Sequence, residues 1–303
     1  MNKLSKEYQK KWEDYPLFDS NIIERLRGCG IKDHPELKNV MSSQGACMNV
    51  LGFFAEQVNK NLLLEFVRKC GIEADDVIEI DENYSQKLNL KYHGEGLLIF
   101  EWIGPRASII NEGNGGGRGF QRTSTDAYLL IRQGNKIIQI LIEWKFTESY
   151  INSPNRFFGG RGLERLRRYS TLLQEYRRNK SPLLSLKDED NWGLSDLGYE
   201  PYYQLLRMHL LGRESTKKFE IADDYIVLHL NHSENEKLNS LSKVNLENYP
   251  GLKRNNDDSI YGTWEKLLSD EERTRFKHSY WNEVLKDLHS NSEWFKYIEE
   301  RYI

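Results

Sequence analysis

Asp126, Glu143 and Lys145 are the residues of this chain whose types and spacing could do chemistry. Glu143 and Lys145 flank Trp144 near the end of an apolar run, 136–146, and Asp126 opens the run before it, 126–132. Gln133-Gly134-Asn135 stands between the two. Two apolar runs joined by Gly134-Asn135 predict a hairpin with a two-residue turn. That turn sets Gln133 against Lys136, and every further pair follows from it. Ile131 then faces Ile138, Leu129 faces Ile140, and Ala127 faces Ile142, so one face is wholly apolar and must be core. The other face pairs Arg132 with Ile137, Leu130 with Gln139, and Tyr128 with Leu141. Its last pair is Asp126 with Glu143. Lys145, two residues on, points to the same side.

Directly opposed residues of antiparallel strands hold their Cβ atoms roughly 4.5–5.5 Å apart, and like charges placed there destabilise the sheet. A divalent cation is the natural compensation. Mg²⁺ (or Mn²⁺) suits the pair, because Mg²⁺ favours one or two carboxylates completed by water and phosphate oxygens. Asp126 and Glu143 would be its ligands, with the backbone carbonyl of Trp144 as a further one. Such an ion lowers the pKa of a bound water and polarises a phosphodiester. The Lys145 ammonium can orient or help deprotonate that water and stabilise charge developing on the phosphate. Spacing alone leaves a second reading open. Glu-x-Lys is common on exposed strands, and the three residues could form a solvated ion cluster at strand ends.

The elements that must position them read as follows. Residues 1–40 suggest short helices, an N-terminal helical arm. In 42–54, Ser42 or Ser43 can cap a helix whose Ala46, Val50, Phe53 and Phe54 form an apolar stripe. A second helix, 61–70, ends at Gly71, a natural left-handed stop. Residues 86–103 read as extended, 97–103 most clearly. A glycine-rich run, 113–119, separates them from the hairpin. Residues 163–178 read as a basic helix and 221–230 as a strand. From Trp264 onward the pattern is helical, with Trp264, Trp281 and Trp294 as core anchors. The order predicts an α/β or α+β layered fold, α/β being the class adopted.

The pieces TSTDAYLLI and GNKIIQILIEWKF resemble the D…(D/E)-x-K signature of the PD-(D/E)XK nuclease superfamily, with Thr125 where that pattern has proline. More closely, the chain is similar to a group of bacterial restriction-endonuclease-like proteins. That likeness rests on Ser42-Ser43-Gln44, Phe100-Glu101, Thr125-Asp126-Ala127, Ile142-Glu143-Trp144-Lys145 with Thr147-Glu148, and Tyr203-Gln204-Leu205-Leu206-Arg207. The resemblance implies a restriction-endonuclease-like αβββαβ core, a mixed central sheet flanked by helices. With the helical pattern at both ends, the chain divides into an arm at 1–40, the nuclease-like core at 41–235, and a helical extension packed on the core at 236–303; residues beyond 240 carry no part of the resemblance. The resemblance also implies catalytic roles for Asp126, Glu143 and Lys145, with Glu101 or Gln44 as supporting residues. The expected activity is Mg²⁺-dependent hydrolysis of DNA, in restriction, defence or repair, by an endonuclease rather than an exonuclease. The alternative is a non-catalytic nucleic-acid-binding module that retains the fold.

Among residues 151–180, eight are Lys or Arg and two are Glu, although the whole chain carries a formal charge of −3. This basic segment follows Lys145 directly. Arg156, Arg161, Arg165 and Arg168 are candidate nucleic-acid contacts, as are Arg118 and Arg122 in and beside the glycine-rich run. DNA is the expected partner, RNA the alternative, and a homodimer would let two sites cut both strands. Cys29, Cys47 and Cys70 lack CxxC spacing, which argues against structural zinc and for buried thiols. No apolar run is long enough to span a membrane, and the polar N-terminus lacks a signal-peptide core; a cytoplasmic location is expected.

Overall fold

The computed structural model describes residues 41–88, 96–104, 108–113, 122–185, 193–255, 259–288 and 292–303. The proposed N-terminal arm, Arg118 and most of the glycine-rich run lie outside these.

The first helix, α1 (Ser43–Phe54), starts where the sequence supplies a cap: Ser42 Oγ accepts from Gly45 N at 3.2 Å. Helix α2 (Lys60–Lys69) is followed by Gly71 at φ +77°, the left-handed residue its C-terminus needs. A short strand, β1 (Asp76–Ile78), precedes helix α3 (Glu82–Lys87), which Asp81 caps through Tyr84 N. Residues 86 and 87 are therefore helical, not extended. The predicted strand at 97–103 shortens to β2 (Ile99–Phe100). The cause is local: Glu101 sits at φ +56° and Gly104 at φ +72°, and neither conformation continues a strand.

The hairpin forms as the sequence predicts. Strands β3 (Ala127–Gln133) and β4 (Lys136–Trp144) pair antiparallel with Gln133 opposite Lys136 and Ala127 opposite Ile142. Helices α4 (Gly162–Arg178) and α5 (Tyr202–Phe219) lead to β5 (Asp224–Asn231). The C-terminal segment is helical, with α6 (Ile260–Leu267), α7 (Trp281–Lys286) and α8 (Glu293–Tyr302). It also gives the sheet a strand that the helical reading did not include, β6 (Phe276–Tyr280).

The sheet order is β1-β3-β4-β5-β6, with β2 beside β1 along the same side of β3. The β1, β2 and β4 pairings to β3 are antiparallel; β4–β5 and β5–β6 are parallel. The sheet is therefore mixed, and the architecture is α/β. Each face carries its own apolar layer. On one, Ala127, Leu129 and Ile140 pack with Val50 of α1, Leu63 of α2, Trp281 and Trp294. On the other, Tyr128 and Leu141 pack with Tyr169 and Tyr176 of α4, Leu205 and Leu210 of α5, and Trp264. The three tryptophans are core residues, as expected. Cys47 and Cys70 are buried and in no disulfide among the described residues. Among the described residues, no helix is long and apolar enough to cross a membrane.

Candidate active site at the end of the central hairpin

The register of the sheet builds the site. Continuing β3–β4 one step past Ala127–Ile142 sets Asp126 opposite Glu143. Asp126 N donates to Ile142 O at 2.9 Å, which holds that step in place. Continuing β2–β3 sets Glu101 beside Asp126, and Glu101 N donates to Asp126 O at 3.2 Å. On the far side Glu143 pairs with His229, and His229 with His278. One row of residues, Glu101–Asp126–Glu143–His229–His278, thus crosses five strands at the same level. Side chains alternate between faces along each strand. Asp126, Glu143, His229 and His278 therefore lie on the side of Tyr128, Leu141 and Val227, toward α4 and α5.

Lys145 Nζ donates to Glu143 Oε1 at 2.6 Å, and both residues are only 6% exposed. This burial rejects the solvated cluster as a description of the pair. Asp126 Oδ2 accepts from Trp144 N at 2.7 Å, which ties the acid of one strand to the backbone of the other. Burial pushes the Glu143 carboxyl above its usual range, more than Lys145 draws it down. Burial also pulls on the Lys145 ammonium, but Glu143, the Tyr150 phenol, Asp126 and Glu148 outweigh it. Its pKa stands well above the ordinary lysine value, so lysine is the cation of the pair at neutral pH.

Three carboxylates, Glu143, Asp126 and Glu148, thus act on one ammonium. That imbalance suits an added cation. Among the described residues, no three or more His, Cys, Asp or Glu side chains form a group that could hold a metal by themselves. A closed zinc-type cage is not what the residues offer. Two facing carboxylates leaving most positions to water and substrate do fit Mg²⁺ or Mn²⁺, hard cations that accept oxygen ligands of this kind.

Of the supporting candidates, the structure brings Glu101 to the row, with its Oε2 accepting from Ser124 Oγ at 2.9 Å. Gln44 is half-buried in the first turn of α1. That turn is drawn to the end of β4 by Thr147 Oγ1, which donates to Met41 O at 2.9 Å. The arginines divide. Arg122 is buried and donates to Ile103 O at 2.9 Å, so it braces a loop instead of facing a nucleic-acid backbone. Arg156 is paired with Glu200 at 2.9 Å, Arg165 donates to Arg156 O at 3.1 Å, and Arg168 is paired with Glu164. Arg161 is exposed.

Four residues of this neighbourhood were not among the site residues read from the sequence, although Arg207 closes one of the pieces that carry the family likeness. Tyr150 and Glu200 act electrostatically on each other, and both act on Glu143 or Lys145. Glu200 is buried, with Oε2 lacking a hydrogen-bond partner. Arg207 lies 5.1 Å over the Tyr203 ring, donates to Thr123 Oγ1 at 2.8 Å, and helps hold the Glu143 carboxylate charged. His229 is fully buried beside Glu143, with Nδ1 3.0 Å from the Tyr261 hydroxyl. Burial, then Lys145 and His278, hold its imidazole well below the usual histidine value, so it is neutral.

Compared with known proteins, residues 18–303 match the model of one family, described as restriction endonuclease associating with ARP. No curated protein and no solved structure matches the chain.

Proposed function

Since the chain belongs to the family of restriction endonucleases associating with ARP, we propose that it is a metal-dependent nuclease hydrolysing phosphodiester bonds of DNA. The observation that carries this reading is Asp126 opposite Glu143 at the end of the central hairpin, with the buried Glu143 and Lys145 2.6 Å apart. Asp126 and Glu143 would hold Mg²⁺ or Mn²⁺, whose chemistry is to acidify water and draw charge from a phosphoryl oxygen.

The chain's own residues do the rest. The Lys145 ammonium, kept protonated by its acidic neighbours, donates to the attacking water or to a phosphate oxygen and offsets the charge that builds there. Trp144 N fixes Asp126 Oδ2, so the second carboxylate cannot swing away when substrate arrives. Neutral His229 adds no positive charge beside Glu143 and leaves Lys145 as the cation of the pair.

The test is cleavage of linear and circular DNA with Mg²⁺ or Mn²⁺, beside EDTA and a Lys145→Ala control. Cutting that needs metal and drops by about 100-fold or more in the variant is expected, given the usual worth of a positioned proton donor or charge stabiliser. Cut circles would make it an endonuclease. Glu143 already has Lys145 as its counter-ion at 2.6 Å, which favours one other reading, a nucleic-acid-binding module without catalysis. DNA held equally well in EDTA, with no cutting under any condition, would establish that one instead.

A further inference from the structure

Three large apolar side chains stand exposed among the described residues, and two of them lie five residues apart in the chain. Phe158 is 55% exposed and Leu163 79% exposed. They lie on either side of Gly159-Gly160-Arg161-Gly162, at the start of α4.

The loop that presents them is firmly built. Phe157, next to the exposed ring, is buried with its edge against Tyr203, centroids 5.5 Å apart. Asn155 Oδ1 accepts from Phe157 N at 2.9 Å, and its Nδ2 donates to Ser195 O at 2.8 Å. Arg156 N donates to Gly198 O at 2.8 Å, Phe158 N to Asn155 O at 3.1 Å, and Gly162 N to Gly159 O at 2.9 Å. A side chain at position 162 would meet the Phe157 carbonyl at 2.1 Å, so the turn closes only around glycine. Such anchoring means the exposed ring is held out by the fold, where collapse of a loose loop could have hidden it.

The loop also adjoins the candidate active site. Its Arg156 pairs with Glu200, and the Glu200 charge acts on Glu143. Around the apolar pair the surface is cationic. Arg161 is exposed between Phe158 and Leu163, and Arg167 follows Leu163 by one helical turn on the same face. The one acid of the first turn, Glu164, is paired with Arg168.

Apolar side chains inside a cationic rim match nucleic acid, whose bases present apolar faces and whose backbone presents phosphates. We propose that Phe158 and Leu163 form a base-contacting wedge, which inserts against unstacked nucleobases while Arg161 and Arg167 hold the flanking phosphates. The inference rests on the nucleic-acid reading above and sharpens it: the substrate is DNA opened or kinked beside the scissile bond.

The full chain is titrated, in EDTA, against a short synthetic duplex carrying 2-aminopurine, whose fluorescence rises when it unstacks. Wild type should bind and raise the signal. Phe158→Ala with Leu163→Ala should bind about 10- to 100-fold more weakly, the scale of a lost aromatic–base contact, and should give no rise. Phe158→Trp should restore both, which separates base contact from a folding defect. Wild-type binding without unstacking overturns the wedge and leaves the nuclease reading standing, since cleavage with Mg²⁺ is measured on the same samples. An unstacking signal that survives in the double variant overturns it as well and turns attention to a protein partner for the apolar pair. Failure of wild type both to bind DNA in EDTA and to cut it with Mg²⁺ overturns both readings.

Discussion

Lys145 and Glu143 form an ion pair from which water is almost excluded, and each is the other's main compensation. Removing one partner of such a pair leaves a buried charge, a loss of about 3–5 kcal/mol. Lys145→Met should therefore destabilise the protein near neutral pH. Its pH dependence follows from the remaining acid. Burial already raises the Glu143 carboxyl, and without the ammonium it rises further. A carboxyl raised in the folded state binds protons there before the unfolded chain does, so stability recovers as pH falls through the folded value toward the ordinary 4.5. The deficit of Lys145→Met in urea unfolding should shrink across that window, and adding Glu143→Gln should abolish most of it. A deficit independent of pH would mean that lost packing, not stranded charge, dominates. Lysine itself behaves in the opposite sense: raised above 10.5, its contribution is complete below that value and is lost only as pH climbs through the folded pKa. The facing acids and the lysine were legible in the sequence because strand periodicity and one turn suffice to align them. Tyr150, Glu200 and His229 were not. Each comes alone from a different element, and only tertiary packing brings it to the row.

At the scale of elements, the hairpin is specified by its turn. Gly134 takes φ +56°, and among the positive-φ residues Asn135 is absent, the pattern of a type II′ turn with glycine first. Its N donates to Asp75 Oδ2 at 2.6 Å, which docks the turn on the chain before β1. Gly134→Val should cost about 1–2 kcal/mol, the strain of a side chain in the left-handed region, read by chemical denaturation. An unchanged midpoint would show that the turn relaxes freely and that strand pairing alone sets the register. The elements missed from sequence failed for identifiable reasons. Strand β1 has only three residues, too few to show a period. Strand β6, at the sheet's edge, has one fully buried side chain, Phe276, so no alternation distinguishes it from the helices around it. Strand β2 was read too long because the backbone reversal at Glu101 leaves no mark in composition.

For the whole molecule, the three-layer arrangement divides labour between the faces of the sheet. One layer supports the strand end that carries Glu143 and Lys145: Trp281 Nε1 donates to Lys145 O at 3.0 Å, and its ring stacks 4.7 Å from Trp144. The other layer carries the row of polar residues and, on α4, the basic surface. Arg161, Arg167, Arg177, Arg178 and Lys180 are exposed there, although the chain is net negative. A local cationic face on an acidic chain should attract a nucleic-acid backbone while the remainder repels it, which orients the encounter. Each phosphate neutralised on duplex DNA contributes about 0.9 to the slope of log affinity against log salt concentration. Arg167→Gln with Arg178→Gln should therefore flatten that slope by about 2 if both contact phosphate. The same loss of charge across the sheet, at Lys69 on α2 and Lys286 on α7, should leave it nearly unchanged. Filter binding across a salt series separates the alternatives. Equal flattening in both pairs would mean that net charge alone governs association and that α4 is no interface; flattening confined to the α4 pair would place the DNA on the face that carries Asp126, Glu143 and Lys145.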